Sequence, residues 1–252
     1  MRSQILAPAS LAAIVSIAAS APAHAQTPSS SPQRARLSNE TTFTRWANAA
    51  TLAKVYARPS ADARTVGRLR LLTEDGFPEV YVLLAGREDA QGVPWVQLRL
   101  PQRPSNTTAW VRRDRLGPSH LVHTRLVVSR AALSVTLYDR GKRRFRARVG
   151  MGAPSTPTPA GSFWIREKFH VSGNPLYGTR AMGTAGYSNA LTDWPGGGVI
   201  GLHGTSEPGL IPGRPSHGCI RLRNPDIERL YALTPIGTPV LIGRARKRRS
   251  SQ

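Results

Sequence analysis

The sequence predicts a mainly β protein that consists of two successive β domains and one short helix. After about residue 45, apolar residues come in short runs that alternate with polar residues, and glycine or proline separates the runs. A period of two is typical of strands that bury one face, and the turn residues mark where strands end. Only residues 225–233 combine a helical length with a proline at the first turn and another beyond the end.

The first 25 residues have the pattern of a secretory signal peptide. Arg2 gives a positive start, residues 5–19 are apolar, and residues 23–25 fit the small-x-small cleavage pattern. The alternative is an uncleaved membrane anchor, but the apolar stretch is short for a spanning helix and Pro8 interrupts it. We therefore expect cleavage after residue 25 and export of the mature protein to the periplasm or cell wall.

The chain is strongly basic. It has 35 Lys and Arg against 14 Asp and Glu, which gives a formal net charge of +21. For an exported protein this charge favours polyanionic neighbours such as cell-wall polymers or anionic lipid headgroups. Nucleic acid is the other common partner of a basic protein. Export argues against it, and an aromatic content of 6% is low for base stacking.

The first predicted domain covers residues 46–117. Residues 26–45 before it are rich in Ser, Pro, Gln, Thr and Arg, a composition that predicts a flexible linker. The domain contains Val55-Tyr56-Ala57-Arg58-Pro59, then Trp95-Val96-Gln97-Leu98, and closes on residues 110–116. In this order the pieces resemble a bacterial SH3-like domain, which implies a small β-barrel. For Trp95 and Trp110 we favour core packing over a ligand-binding shelf.

A second domain is predicted over residues 119–243, after the boundary at Pro118. Residues 125–128, 133–138 and 145–149 are its first strands, and Asp139-Arg140-Gly141-Lys142 is a hairpin turn. Proline density in residues 152–161 excludes both a helix and a sheet interior. The helix has Asn224 as its expected N-cap, and a last strand follows at residues 238–242. Residues 244–252 form a basic tail, which we expect to be solvated and disordered.

The only cysteine is Cys219, in the run Ser216-His217-Gly218-Cys219-Ile220-Arg221. Exported proteins usually pair their cysteines in disulfides, and a lone thiol cannot pair within its own chain. A single reactive thiol is instead typical of a catalytic nucleophile. Two histidines are candidates to accept its proton, His217 in the same run and His203 on the preceding apolar segment.

These residue types suit acyl transfer. A histidine within hydrogen-bond reach can take the thiol proton and return it to a leaving amine, so we expect the thiol to titrate below the free value of about 8.5 or jointly with histidine. Gly218 would let backbone N–H groups approach a developing oxyanion. Zinc binding by Cys219, His203 and His217 is the alternative, but their spacing matches no common zinc site. We expect no metal and no cofactor.

The second domain resembles the catalytic domain of the L,D-transpeptidases (YkuD-type). The matching segments, in the order of the family, are Thr156-Pro157-Thr158-Pro159-Ala160-Gly161, Asn174-Pro175, Arg180-Ala181-Met182, Ile200-Gly201-Leu202-His203-Gly204-Thr205 and Ser216-His217-Gly218-Cys219-Ile220-Arg221. They extend over most of residues 121–242. The resemblance implies a β-sandwich-like catalytic fold. The family's frequent wall-binding LysM module is absent from the sequence, and the SH3-like segment stands in its place.

The resemblance also implies roles for single residues. Cys219 would be the nucleophile and His203 the general base and acid. The main-chain carbonyl of Gly204 would orient that base. Supporting or oxyanion roles fall to Ser216, His217 and Gly218. Arg221 is expected either to bind a substrate carboxylate or to serve only as a structural arginine.

The implied function is a peptidoglycan L,D-transpeptidase that forms 3→3 cross-links between stem peptides through a cysteine thioester. With water as acceptor, the same site would act as an L,D-carboxypeptidase. A third hypothesis is a non-catalytic wall-binding protein, against which the intact Cys219 and His203 argue. The expected partners are stem peptides and anionic wall polymers, and the expected inhibitors are carbapenems.

Overall fold

Two β-sheets and one α-helix account for about half of residues 34–191 and 195–243, which are the residues that the structure, a computed structural model, describes. The predicted signal peptide, residues 26–33 of the predicted linker and the basic tail lie outside these ranges. Within them, no helix has the length and hydropathy needed to cross a membrane.

The first sheet is antiparallel, and its strands follow one another in the order β4-β3-β7-β6-β5-β2-β8, with β1 paired to β5. The strands are β1 (Ala35–Arg36), β2 (Thr44–Asn48), β3 (Lys54–Tyr56), β4 (Thr65–Arg68), β5 (Val80–Glu88), β6 (Pro94–Arg99), β7 (Thr108–Arg112) and β8 (His120–Val122). Alternate residues bury one face, as in β6, where Val96 and Leu98 lie in the same apolar cluster. Trp95 and Trp110 pack together with Ala85 in the interior.

This sheet extends beyond the predicted limits of the first domain at both ends. The predicted linker overlaps β1 and the first residues of β2, and β8 lies after the predicted boundary and pairs with β2. Composition missed these segments because backbone hydrogen bonds, which any sequence can form, hold them: Leu37 N–H donates to the Leu84 carbonyl at 3.0 Å. The SH3-like assignment itself remains a prediction.

The second sheet is mixed, with the strand order β11-β10-β9-β18-β13-β14-β15-β17-β12-β16. Its strands are β9 (Thr124–Ser129), β10 (Ser134–Asp139), β11 (Lys142–Arg148), β12 (Gly150–Gly152), β13 (Gly161–His170), β14 (Arg180–Tyr187), β15 (Val199–His203), β16 (Gly213–Ser216), β17 (Ile220–Arg221) and β18 (Pro239–Gly243). The neighbours β15 and β17 run parallel, as do β18 and β9 and also β12 and β16. Strand β15 ends on His203, and the candidate nucleophile Cys219 directly precedes the parallel β17.

Helix α1 (Asn224–Leu233) covers the core of the second sheet. It buries Ile227 and Leu230 in one cluster with Met182 and Leu202 of the sheet. The helix begins one residue earlier than predicted. Arg223 is the N-cap and makes no side-chain cap bond, so Asn224 does not cap the helix as predicted.

The two sheets share a packed interface, and residues 34–191 and 195–243 belong to one compact unit. Val80 and Val82 of β5 meet Trp164 and Ala185 of the second sheet in an apolar cluster. The indole N–H of Trp164 donates to the Val80 carbonyl at 2.7 Å. Beside this cluster the fully buried Arg166 donates to both carboxylate oxygens of Glu79, at 2.8 and 2.7 Å. The first sheet is therefore bound to the second by burial and by charge-assisted hydrogen bonds.

Candidate active site

The candidate nucleophile and base lie on two neighbouring parallel strands. Strands β15 and β17 pair Leu202 with Ile220 and His203 with Arg221. Cys219 immediately precedes β17. In the same register it lies beside Gly201, the residue before Leu202. Alternate residues of a strand point to the same face, so His203 and Cys219 project from the same side of the sheet. Gly201 has no side chain, and its N–H donates to Cys219 Sγ at 3.4 Å.

The imidazole of His203 is held in one tautomer. Its Nδ1 lies 2.7 Å from the Gly204 carbonyl, which can only accept, so Nδ1 carries the proton and Nε2 keeps a free lone pair. The residue is only 4% exposed. Burial lowers the pKa of His203 to about 4; the Gly204 hydrogen bond opposes this shift and the charge of Arg221 adds to it. At neutral pH the imidazole is therefore an uncharged base.

Cys219 is half-buried. Burial raises the pKa of its thiol, against the Gly201 N–H and the charge of Arg221, which both lower it. This corrects the expectation from the sequence of a thiol that titrates below the free value. The physical reason is that desolvation penalises the thiolate more than one amide and one guanidinium stabilise it. Thiol and imidazole thus coexist as a neutral pair.

The loop before Cys219 is closed by its own side chains. The hydroxyl of Ser216 donates to the Cys219 carbonyl at 2.6 Å and accepts the Gly218 N–H at 3.2 Å. Thr158, from the proline-rich segment, donates to the Gly218 carbonyl at 2.7 Å. Gly218 has φ +129°, and a Cβ there would lie 2.9 Å from the Ile200 side chain. Glycine is therefore required at this position by both backbone conformation and space.

The other two predicted residues lie at the edge of this arrangement. The side chain of His217 is exposed. Arg221 forms an ion pair with Glu207 at 2.9 Å, and its buried Nε has no hydrogen-bond partner among the described residues. Cys219, His203 and His217 do not form a metal cluster: within residues 34–191 and 195–243, no group of three or more His, Cys, Asp or Glu could hold an ion.

The comparisons with known proteins agree with this geometry. The family model for the YkuD L,D-transpeptidase catalytic domain matches residues 123–242. The probable L,D-transpeptidase YbiS of Escherichia coli K12 is 30% identical over 216 residues, which cover 75% of this chain and 68% of that protein. The chain belongs to the L,D-transpeptidase family.

Further relatives of this family match a shorter part of the chain. The putative L,D-transpeptidase YkuD of Bacillus subtilis is 29% identical over 122 residues, 48% of this chain and 66% of that protein. A crystal structure of the Enterococcus faecium L,D-transpeptidase C442S mutant is 26% identical over 48% of this chain and 49% of that chain, with a TM-score of 0.39. The chain thus spans about two thirds of the curated relatives and about half of the solved one. The model match begins after β8.

Sequence reasoning missed three residues of this candidate site. The Tyr177 ring lies 4.6 Å from the His203 ring, Glu207 pairs with Arg221, and Asn224 Oδ1 accepts the Thr205 N–H at 3.1 Å. The Asn174-Pro175 motif marked the first segment without assigning a role to Tyr177. Asn224 was assigned to the helix end. Glu207 gave no signal, because its partner is 14 residues away on another strand.

Proposed function

We propose that this protein is a peptidoglycan L,D-transpeptidase that works through a thioester on Cys219. The observation that carries the proposal is a buried, neutral His203 whose tautomer leaves Nε2 unprotonated, on the same sheet face as the Cys219 thiol. An uncharged imidazole can accept a thiol proton directly. Membership of the family supports peptidoglycan stem peptides as the substrate class.

The first half-reaction is acylation. The Cys219 sulfur attacks the carbonyl between the L-centre of the diamino residue of a tetrapeptide stem and the terminal D-alanine. His203 Nε2 takes the thiol proton as the C–S bond forms. Collapse of the tetrahedral intermediate breaks the C–N bond, and His203 gives that proton to the departing D-alanine amine. Because the resting pair is neutral, charge separates only during the reaction, where oriented dipoles stabilise it most effectively.

The second half-reaction is transfer. The side-chain amine of a second stem attacks the thioester, His203 accepts the amine proton, and the proton returns to the Cys219 sulfur as the C–S bond breaks. The product is a 3→3 cross-link. If water attacks instead, the product is a free tripeptide stem and the enzyme is an L,D-carboxypeptidase.

The surroundings of Cys219 suit the developing oxyanion. Of the two N–H groups expected to donate, that of Gly218 already bonds Ser216 Oγ. We therefore assign the main oxyanion contact to the Cys219 N–H. The charge of Arg221 acts on the Cys219 thiol, and a substrate carboxylate would compete with Glu207 for its guanidinium. The net charge of +21 favours retention among anionic wall polymers.

The test uses purified disaccharide-tetrapeptide and mass spectrometry. We expect a covalent adduct on Cys219 that corresponds to loss of D-alanine, followed by a 3→3 dimer. Incubation with a carbapenem should give a second adduct on the same residue. Cys219→Ala should lose both adducts and both products while keeping the melting temperature. Turnover in Cys219→Ala would overturn the nucleophile assignment, and tripeptide without dimer would reassign the enzyme as a carboxypeptidase.

A further inference from the structure

Arg103, which lies between strands β6 and β7 of the first sheet, binds the connection between β14 and β15 of the second sheet, beside the candidate site. Arg103 donates from Nε and Nη2 to the Ser188 carbonyl, at 3.2 and 2.7 Å, and from Nη2 to the Gly197 carbonyl at 2.8 Å. Ser188 directly follows β14, and Gly197 lies two residues before β15. One guanidinium therefore ties together both ends of the β14–β15 connection.

The ends of this connection are held in register. Tyr187 pairs with Val199, and the Ser188 N–H donates to the Gly198 carbonyl at 2.8 Å. A Cβ at Gly198, where φ is +75°, would lie 2.1 Å from the Leu191 carbonyl oxygen and 3.2 Å from Arg103 Nη2. The backbone at Gly198 therefore packs closely against the Leu191 carbonyl and against the Arg103 guanidinium.

Residues that precede the second sheet in the chain also contact Tyr187, the last residue of β14. The Arg103 guanidinium lies over the Tyr187 ring, 5.0 Å from its centroid. The Tyr187 hydroxyl donates to Glu74 Oε1 at 2.6 Å and accepts from Arg70 Nη2 at 3.2 Å. Glu74, Arg70 and Arg103 all precede residue 123, where the match to the catalytic domain begins.

The start of β15 forms the immediate surroundings of the nucleophile. The Val199 carbonyl oxygen lies 3.9 Å from Cys219 Sγ, and the Gly201 N–H donates to the same sulfur at 3.4 Å. Only Gly198 separates Gly197, whose carbonyl Arg103 binds, from Val199. A shift of the connection would therefore change the hydration and polarity around the thiol.

We propose that Arg103 is a positioning residue of the active site, through which the N-terminal sheet holds β15 against Cys219. Arginine suits this role, because its planar fork can bond two carbonyls at once while it stacks on an aromatic ring, whereas lysine offers a single point charge. On this view the N-terminal sheet is part of the catalytic apparatus rather than only an anchor. The kinetic consequence rests on the proposed function; the effect on the thiol does not.

Arg99 provides a matched control. It also reaches across the interface, since its Nη1 donates to the Ser162 carbonyl at 3.3 Å while its guanidinium pairs with Glu40. Ser162 pairs with Leu241 on β18, on the far side of β13 from β14 and β15. Arg99→Ala therefore removes a cross-sheet arginine without touching the β14–β15 connection.

The experiment compares wild type, Arg103→Ala, Arg103→Lys and Arg99→Ala. The pH dependence of iodoacetamide alkylation at Cys219 reports on the thiol and needs no turnover, so it decides the proposal even if no cross-linking is found. In Arg103→Ala we expect its midpoint to fall toward the free-cysteine value, because water reaches the thiol. We also expect kcat/KM to fall roughly 2- to 30-fold.

The alkylation midpoint and kcat/KM of Arg103→Lys should lie between those of wild type and Arg103→Ala. Both quantities should be unchanged in Arg99→Ala, even if its melting temperature is lower. An unchanged alkylation midpoint in Arg103→Ala would overturn the proposal. So would an equal shift in Arg99→Ala, which would mean that any loosening of the interface has this effect. If Arg103→Ala does not fold, Arg103→Lys and Arg103→Gln give the same comparison with milder changes.

Discussion

His203 owes its role to a main-chain oxygen rather than to an acidic side chain. A carboxylate partner would stabilise the imidazolium and raise the pKa, whereas the Gly204 carbonyl orients the ring at little electrostatic cost. Together with burial this keeps the pKa of His203 at about 4. The ring is therefore a weak base that is uncharged at neutral pH.

The first prediction concerns the pH profile of this base. Protonation of His203 removes the acceptor for the thiol proton, so kcat/KM should fall only as pH drops through about 4, and should be flat from pH 5 to neutrality. Initial rates of acylation between pH 3.5 and 8 measure this. His203→Ala should slow acylation by roughly two to four orders of magnitude.

His217→Ala is the control for that prediction. Its side chain is exposed beside the same cysteine, so its removal should change the rate less and leave the acid limb in place. An acid limb well above pH 4 would contradict the lowered pKa of His203. A larger loss in His217→Ala than in His203→Ala would show that the wrong histidine has been assigned as base.

At the scale of elements, the first turn of α1 fixes the peptide that orients the base. Asn224 Oδ1 accepts the Thr205 N–H at 3.1 Å, and this N–H belongs to the same peptide unit as the Gly204 carbonyl that binds His203 Nδ1. Bonds at both ends of one planar peptide fix its rotation. The helix thereby controls the orientation of the His203 ring on β15, through hydrogen bonds that join Asn224, the Gly204–Thr205 peptide and the imidazole.

The second prediction tests this link. Asn224→Ala leaves the N–H of the buried Thr205 without an acceptor, so we expect a loss of about 1–3 kcal/mol in the free energy of unfolding. Acylation should slow as well, because the Gly204 carbonyl loses its fixed direction. Asn224→Asp keeps an acceptor and should retain most of both. Denaturant unfolding and acylation rates measure the two effects; equal losses in both variants would contradict the hydrogen-bond explanation.

At the scale of the whole molecule, two glutamates at the interface between the sheets have pKa values that are shifted in opposite directions. Burial alone would raise the pKa of Glu74, but the charge of Arg166 and the bonds from Tyr187 and Arg70 outweigh it and lower the pKa to about 2. Glu167, which accepts the Thr73 hydroxyl at 2.6 Å, has its pKa raised to about 7 by burial, with Asp75 adding to the rise. Only Glu167 therefore titrates near working pH.

The third prediction concerns Glu167. Its folded-state pKa of about 7 lies above the ordinary value of 4.5, so the folded state holds a proton that the unfolded state loses, and stability falls as pH rises from 4.5 to 7. Glu167→Gln removes this loss and keeps an acceptor for Thr73. The melting temperature of the variant relative to wild type should rise across this window.

Glu228→Gln is the matched control, because Glu228 is exposed on α1 and its neutralisation should give no such trend. A difference between Glu167→Gln and wild type that stays constant from pH 4.5 to 8 would contradict the raised pKa of Glu167.

The sequence by itself determined the class of the fold and the residues that we propose as catalytic. Cys219, His203 and the glycine between Ser216 and Cys219 could be found because local demands set them: a lone thiol, a proton acceptor, and a backbone conformation that only glycine adopts easily. Strand periodicity likewise predicted a mainly β chain with one helix. Composition misplaced the start of the first sheet, where backbone bonds rather than apolar side chains hold β1.

Only the tertiary structure decided which residues contact one another and in which protonation state they do so. Three contacts join residues from different segments: the ring contact of Tyr177 with His203, the ion pair of Arg221 with Glu207 and the hydrogen bonds of Arg103 to Ser188. Periodicity indicates that a face is buried, but it does not identify the residue that packs on it. The neutral state of the Cys219–His203 pair also depends on burial, because desolvation arises only when distant segments exclude water together.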